Sequence, residues 1–342
     1  MQSTQIRKFI LDNLSEHQKD IVRASIRKFG ISRQGILRHV KSLIQDGKIT
    51  AHGKTKDRYY EIIPTIDFSK LIPITDTINE NNIGVKFIFP YLNQMPQNIS
   101  TICEYGFSNA FNNILSHSNA HHATIGFKQT SQLIQITIQD DGIGCFENIT
   151  DVLGLSSHRQ AAFDIVKGKT TVAPDQFLGE SLFFILRLFD VCKIQANGLC
   201  LTRKEGQPEW ELNECDNTPG TKIMLFISSN SKKDFYSILN QYATDADSPN
   251  FDRTIIPLNL LLKNGEKLMS RAQAKDMLRG LNQFHESCLD FQKIDFVGPA
   301  FLDEIFRVYP SMNKNSHFTW INASPSVEKM VWRAVNRESN EP

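Results

Sequence analysis

The sequence predicts an α+β protein made of several domains, and three observations support this. Its 342 residues, of which 40% are hydrophobic, suffice for two or three ordinary domains. Charge is segregated: residues 1–62 carry 13 Lys and Arg against 6 Asp and Glu, a net charge of +7, whereas the remainder carries −6. The hydrophobic period is helical at the basic end and alternates between strand and helix further on. We therefore expect domains at 1–62, 63–228 and 251–342, with a polar connector at 229–250.

Composition also narrows the class of protein. No run of 18 uncharged apolar residues occurs, and the N-terminus lacks the apolar segment of a signal peptide. The six cysteines show neither C-x-x-C nor metal-ligand spacing, which favours reduced thiols. These features predict a cytoplasmic protein with no membrane span.

The basic end has the pattern of three amphipathic helices followed by two short strands. Gly30 is expected to end the second helix, because glycine readily takes a left-handed backbone, and Ser32 is expected to cap the third. The predicted helices lie within 3–46, and the predicted hairpin strands are 48–50 and 58–62.

This order, with the stretch FGISRQGILRHVKSLIQDGKI, resembles the winged-helix transcription regulators. The resemblance implies that the third helix enters the major groove of duplex DNA and presents Arg33, Gln34 and Arg38 to base edges. It also implies four phosphate contacts, from Lys41, Lys54, Lys56 and Arg58. A winged helix that docks a protein through its basic face is the open alternative, and the net charge of +7 favours DNA.

The helix TICEYGFSNAFNNILSHS, at 101–118, has two distinct faces. Asn109 and Asn113 are four residues apart and share one face, whereas Phe107 and its apolar neighbours lie on another and can pack against a core. An asparagine oxygen is a neutral hard ligand, suited to Mg²⁺ beside phosphates.

A carboxylate on a glycine turn follows this helix. An alternating apolar strand over 133–138 leads into Asp140, Gly142 and Gly144, in the pattern D-x-G-x-G. An ionised aspartate only accepts hydrogen bonds, so it selects the amine of adenine over the carbonyl of guanine. By itself, this short motif is more typical of an ordinary turn.

Further motifs follow in order: Lys167-Gly168-Lys169-Thr170-Thr171, Gly179-Glu180-Ser181 and Pro219-Gly220-Thr221. With the helix and the turn, they resemble the ATP site of the GHKL superfamily, named for gyrase, the heat-shock chaperone, histidine kinases and MutL. The resemblance implies a central α/β sandwich, ATP and Mg²⁺ as cofactors, and Asn113 as the metal ligand. The implied nucleotide-binding residues are Asn113, Asp140, Gly142, Gly144, Lys167, Lys169, Thr170, Gly179, Ser181 and Thr221. The stretch 145–178 is implied as the lid.

The sequence departs from that superfamily at the position of its general base. A glutamate usually stands four residues before the metal-binding asparagine, and here Asn109 occupies that position. Since an amide is not a general base at neutral pH, we expect nucleotide binding with slow or absent hydrolysis. A fold that has lost ATP altogether remains an alternative.

The C-terminal pieces SRAQAK, LDFQKIDFVGPAFLDEIFRV and WINASPSVEKMVWRA resemble the STAS-like domains fused behind GHKL domains in bacterial and archaeal regulators. The resemblance implies a small α/β domain that can contact a protein partner. The position of the phosphorylatable serine in related domains falls near Pro299 and Ala300, neither of which has a hydroxyl.

Taken together, the sequence predicts a cytosolic regulator that binds ATP and duplex DNA. The alternative is an ATPase or an anti-sigma-type serine/threonine kinase acting on a separate protein. A homodimer is compatible with the two-fold DNA sites that winged helices often bind.

Overall fold

The computed structural model describes residues 2–14, 16–168, 178–206, 209–244, 251–262 and 265–336. It is a mixed α/β fold with a two-stranded, a three-stranded and a seven-stranded sheet among the described residues. The chain divides into two compact units. The first comprises Met1–Lys70, Gly126–Ile136 and Phe226–Ser231, and the second comprises Leu71–Ile125, Thr137–Leu225 and Lys232–Pro342.

The first unit begins with three helices and a hairpin, in the predicted order. Their bounds are α1 Gln2–Asn13, α2 Ile21–Phe29, α3 Arg33–Gln45, β1 Ile49–His52 and β2 Tyr59–Ile62. Gly30 ends α2 with φ 64°, and the Ser32 side chain accepts a hydrogen bond from the Gly35 N–H at 3.2 Å, as both were predicted to do. The two strands pair antiparallel, and Ile49 and Tyr60 join the helices in one buried core.

The seven-stranded sheet has the order β3-β4-β5-β9-β6-β7-β8. Its strands are β3 Ile66–Pro73, β4 His122–Gln129, β5 Leu133–Asp140, β6 Val191–Ala196, β7 Leu199–Lys204, β8 Trp210–Glu214 and β9 Thr221–Ser228. Because β9 lies between β5 and β6, the ends of two strands distant in sequence become neighbours, and this positions the candidate site.

The associated helices are α4 Glu80–Phe87, α5 Gln97–His117, α6 Cys145–Leu153, α7 His158–Lys167, α8 Leu178–Leu188 and α9 Phe235–Asn240. Helix α5 begins four residues before the predicted start, directly after Pro96. Its apolar face is buried as expected, with Phe107 and Phe111 fully inaccessible.

The stretch 145–178, which was implied as the lid, contains helices α6 and α7 among its described residues. Residues 169–177 lie outside the described part.

The C-terminal α/β region alternates strand and helix as the sequence indicates. Three parallel strands, β10 Arg253–Pro257, β11 Glu286–Asp290 and β12 His317–Ile321, are joined in that order. The helices are α10 Arg271–Leu278, α11 Pro299–Asp303, α12 Tyr309–Met312 and α13 Pro325–Val335, with a π-helical turn at Glu304–Val308. Ser270 and Gln273 form a reciprocal capping box at the start of α10.

Candidate functional site

Asp140 is the last residue of β5, and its carboxylate is almost completely buried, with 4% of the residue exposed. One oxygen accepts a hydrogen bond from the Gly142 N–H at 2.8 Å, and the other accepts one from the Thr221 N–H at 3.1 Å. The turn after β5 and the start of β9 therefore meet at this carboxylate. Two of its acceptor positions are used, and a carboxylate has capacity for more.

Glycines allow the backbone to close around Asp140. A Cβ on Gly142 would lie 2.1 Å from the Ser118 carbonyl oxygen, and one on Gly220 would lie 2.1 Å from that of Asp140. Gly220 also has φ 72°, a conformation that other residues rarely adopt. A side chain at either position would overlap a backbone carbonyl oxygen and force the backbone to shift.

The first turn of α6 is tied to the same place. The Cys145 N–H donates to the Thr221 hydroxyl at 2.8 Å, and Gly144 precedes it with φ 86°. Asn197, in the β6–β7 turn, donates to the Ile143 carbonyl at 2.9 Å and accepts from the Glu147 N–H at 3.1 Å. The start of this helix is thus held by the first residue of β9 and by the β6–β7 turn.

Helices α5 and α8 are in contact at Asn113, the predicted metal ligand. The Asn113 amide and the Ser181 hydroxyl lie at hydrogen-bond distance, 3.4 Å. The Asn109 amide donates to the Tyr105 carbonyl of its own helix at 2.9 Å. Among the described residues, no group of three or more His, Cys, Asp or Glu side chains could hold a metal ion.

Some of these residues line a cavity that has apolar walls and a few polar groups. Asn113, Asp140, Gly144 and Thr221 line it together with less expected members. The full lining is Ala110, Asn113, Ile114, His117, Ser118, Ile138, Asp140, Gly144, Cys145, Asn148, Leu182, Thr221 and Ile223. A cleft with this composition is suited to a flat, partly apolar ligand that presents a hydrogen-bond donor.

Burial changes the acid–base properties of the cavity. It raises the pKa of Asp140 to about 6, although the hydrogen bonds from Gly142 and Thr221 act in the opposite direction. Burial also lowers the pKa of His117, which favours the neutral imidazole. The neighbouring Asp141 is exposed, and hydrogen bonds from His122 and, to a smaller extent, from His121 lower its pKa to about 2.

Lys167 lies in an environment that differs from the expectation of a phosphate contact. Its ammonium group is buried, forms an ion pair with Asp164, and donates to the carbonyl of Arg279 at 2.8 Å and of Met277 at 3.4 Å. Because these acceptors already surround the charge, we do not retain Lys167 among the nucleotide contacts. Asp164 is three residues away, but the two carbonyl partners are 110 and 112 residues away, and no local pattern could have revealed those.

The other predicted contacts are only partly described. Lys169 and Thr170 lie outside the described residues. Gly179 belongs to the first turn of α8. The sequence interpretation missed His117, Asn148 and Asn197; the position of His117, four residues after Asn113 on the same helical face, was a usable signal.

The predicted DNA-contacting residues are all exposed. Arg33, Gln34, Arg38 and Lys41 lie on α3, and their angular positions fall within about 140° of one another at 100° per residue. The remaining three, Lys54, Lys56 and Arg58, lie in the connection between β1 and β2. The solvent can therefore reach all seven side chains, on the helix and in the hairpin.

Comparison with known proteins identifies the C-terminal region. Residues 274–328 match the family model of a STAS-like domain of unknown function (DUF4325). We refer to this segment as the STAS-like domain, after the family that it resembles. It contains β11, β12 and the helices between them. Helix α11 begins with Pro299 and Ala300, near which the resemblance places the phosphorylatable serine of related domains, and neither residue has a hydroxyl. No curated protein matches the chain, and no helix among the described residues is long and apolar enough to cross a membrane.

Proposed function

We propose that the protein is a DNA-binding regulator that binds ATP at the Asp140 cavity. The observation that carries the proposal is a buried carboxylate, fixed by two backbone N–H groups, at the wall of an apolar cavity. The order of motifs that resembles the GHKL superfamily supplies the choice of ligand. The STAS-like domain supports a regulatory protein, since it is compatible with contacts to another protein.

The residues present fit adenine and Mg²⁺. Asp140 keeps acceptor capacity for the exocyclic amine, and the aliphatic walls formed by Ile138 and Ile223 suit the faces of the base. Asn113 would contribute one oxygen to Mg²⁺. One or two protein oxygens are enough for this ion, because phosphates and water supply the other ligands.

Catalysis at this site is proposed to be weak. The amide of Asn109 is a poor proton acceptor and is already bonded to the Tyr105 carbonyl. ATP would then act mainly by being bound at the site rather than by being hydrolysed. An ATPase or kinase acting on a separate protein is the alternative.

The ATP proposal is tested by titrating purified protein with ATP, with and without Mg²⁺, in a calorimeter, followed by a phosphate-release assay. We expect saturable, Mg²⁺-dependent binding and slow release. No detectable binding would refute the proposal, and rapid phosphate release would favour the enzyme.

The DNA proposal rests on exposed basic side chains in α3 and the hairpin. Lys54→Ala or Arg58→Ala should weaken binding to all duplexes and reduce the salt slope by about one per lost contact, whereas Arg33→Ala should relax sequence preference at a cost of about 1–3 kcal/mol. Lys19→Ala is a matched control, because Lys19 is exposed and basic but lies outside this set. Equal losses for Lys19→Ala and Lys54→Ala would show that only total charge matters.

Regulation further requires that the two ligands affect each other. If ATP changes DNA affinity by some factor, DNA must change ATP affinity by the same factor. Duplex affinity should therefore be measured at fixed salt with and without saturating Mg²⁺-ATP. Identical values would show that the sites are uncoupled, because a ligand that binds two states equally does not shift the equilibrium between them.

A further inference from the structure

Helix α7 ends in a buried junction with the C-terminal region, within the second compact unit. The Lys167 ammonium donates to the backbone carbonyls of Met277 and Arg279, the first of which lies in α10 of the STAS-like domain. In the opposite direction, the hydroxyl of Thr254 in β10 donates to the Lys167 carbonyl at 2.7 Å. Both the side chain and the backbone of this one residue are thus bonded to the C-terminal region.

Close packing surrounds these polar contacts. The ring of Phe251, just before β10, lies 4.5 Å from that of Phe183 in α8 and 5.3 Å from that of Phe284. A Cβ on Gly168, which follows Lys167 at φ 81°, would lie 2.5 Å from the Phe251 ring. Because these rings pack closely against each other and against Gly168, a shift of α7 has to move its neighbours or break these contacts.

A second buried cation fixes α7 to α8. Arg187 donates to the carbonyls of Val166 in α7 and Phe183 in α8, each at 3.0 Å. Its guanidinium carbon lies 3.4 Å from the centre of the Phe183 ring. The end of α7 is therefore held by Arg187 from α8 and by one donor and two acceptors from the C-terminal region.

Helix α6, which precedes α7 in the chain, connects α7 to the candidate cavity. Helix α6 begins at Cys145, whose N–H is bonded to the Thr221 hydroxyl, and the Thr221 N–H is bonded to Asp140. Helix α6 is joined to α7 by a side-chain hydrogen bond between Glu147 and His158. Direct contacts therefore run from the cavity carboxylate, through α6 and α7, to the STAS-like domain.

We propose that α6 and α7 transmit the occupancy of the Asp140 cavity to the STAS-like domain, with Lys167 and Thr254 as positioning residues. The inference rests on the proposed function, because the occupant is taken to be ATP. A ligand that displaces the Asp140 turn changes the hydrogen bonds at the start of α6. The close packing at the end of α7 passes that displacement to α10 and β10 instead of absorbing it.

Thermodynamic linkage makes the idea measurable without knowing what the STAS-like domain binds. If ATP alters the STAS-like domain through this junction, loosening the junction must alter ATP affinity, although Thr254 does not line the cavity. If Thr254 only stabilised the local packing, substituting it would not change ATP affinity or the ATP-induced changes elsewhere.

The test uses two substitutions at Thr254, which is fully buried. Thr254→Val keeps the shape and removes the hydroxyl, whereas Thr254→Ser keeps the hydroxyl and removes a methyl group. Arg271→Ala is the control, because it removes an exposed side chain that pairs with Asp303 in the C-terminal region and makes none of the junction contacts described above. Hydrogen exchange of peptides within 274–328 is measured with and without Mg²⁺-ATP, together with ATP affinity and the melting temperature of each variant.

We expect Mg²⁺-ATP to slow exchange within 274–328 in the wild type, in Thr254→Ser and in Arg271→Ala. In Thr254→Val this effect should be lost, and ATP should bind about fivefold or more weakly than to Thr254→Ser, at the low end of usual coupling energies. If Thr254 acted through packing alone, Thr254→Ser would have the larger effect, because the lost methyl group leaves a void at position 254. If Thr254→Val does not fold, the double variant Asp164→Leu/Lys167→Met, which replaces the buried ion pair with apolar groups, serves in its place with the same expected losses.

The failures are distinguishable. Wild-type protein that binds no ATP refutes the proposed function and this inference with it. Wild-type protein that binds ATP but shows unchanged exchange within 274–328 refutes the inference alone, as does equal ATP-induced protection in Thr254→Val and Thr254→Ser.

Discussion

The substitution Asp140→Asn should separate ligand binding from stability. The carboxylate accepts from both the Gly142 and Thr221 N–H groups, whereas an amide presents one oxygen and one NH₂. One backbone N–H would then face another donor. Because a buried unsatisfied donor costs about 1–3 kcal/mol, this part of the change is destabilising.

A second effect opposes it. Keeping Asp140 ionised at pH 7, when its pKa is about 6 instead of 3.8, costs about 3 kcal/mol, and asparagine removes that cost. The two effects have similar size and opposite sign. We therefore expect the free energy of unfolding at pH 7 to change by no more than about 2 kcal/mol.

Nucleotide binding should change much more. A hydrogen bond to a charged acceptor contributes about 1.5–3 kcal/mol, so losing it should weaken ATP binding about 10- to 150-fold. Inosine triphosphate, which has a carbonyl where ATP has its amine, provides the comparison. Wild-type protein should prefer ATP, and Asp140→Asn should reduce or reverse that preference because its NH₂ can donate to the carbonyl.

The pH dependence follows from the raised pKa. The folded protein holds the Asp140 proton more tightly than the unfolded chain does, so this group's contribution to stability falls as pH rises from about 4 to about 6. ATP affinity has the opposite trend, since the amine needs the ionised carboxylate, and should fall as pH decreases through about 6. The ratio of wild-type to Asp140→Asn affinity cancels the titration of ATP itself.

Isothermal calorimetry for both nucleotides at pH 5 to 8, with chemical denaturation at the same pH values, covers these expectations. An Asp140→Asn protein that keeps wild-type affinity and wild-type preference for ATP would refute the assignment of Asp140 as the adenine acceptor. A uniform loss of both nucleotides accompanied by unfolding would show that the residue is structural.

Three further predictions concern the candidate site. Asn113→Ala should reduce the difference between ATP affinities with and without Mg²⁺, measured by calorimetry, because it removes an oxygen ligand. Asn109→Glu should raise phosphate release by about 10²–10⁴, while Asn112→Glu, on an exposed position of the same helix, should not; equal rates would contradict the role given to position 109. Gly142→Ala should lower the free energy of unfolding by about 1–3 kcal/mol in denaturant titrations, since its Cβ would overlap the Ser118 carbonyl; unchanged stability would show that the turn can relax.

Much of the fold could be predicted because its determinants are local. Gly30 ends α2 and Ser32 caps α3 through groups within a few residues. The burial of one face of α5 and the alternation along β5 follow from the helical and strand periods in the same way. The same holds for the capped α10, and a match to a known family supports the C-terminal STAS-like assignment.

The sequence also suggested Asp140 as a site residue, but not how it is held. Its second hydrogen bond comes from Thr221, 81 residues later, and depends on β9 inserting beside β5 in the sheet. Hydrophobic period identifies strands without stating which of them become neighbours. The pKa of Asp140 likewise follows from burial, which exists only after the sheet and α5 have packed.

Lys167 shows the limit most clearly. Lysine among glycine and threonine suggested phosphates, because an exposed ammonium in such a stretch is free to bind them. Tertiary packing instead buries this lysine beside Asp164 and two carbonyls more than 100 residues away. Sequence alone determined which residues carry charge and which segments form helices and strands, since these depend on chain neighbours. Only the folded structure decided which groups meet that charge, because desolvation and partner geometry arise from contacts between distant segments.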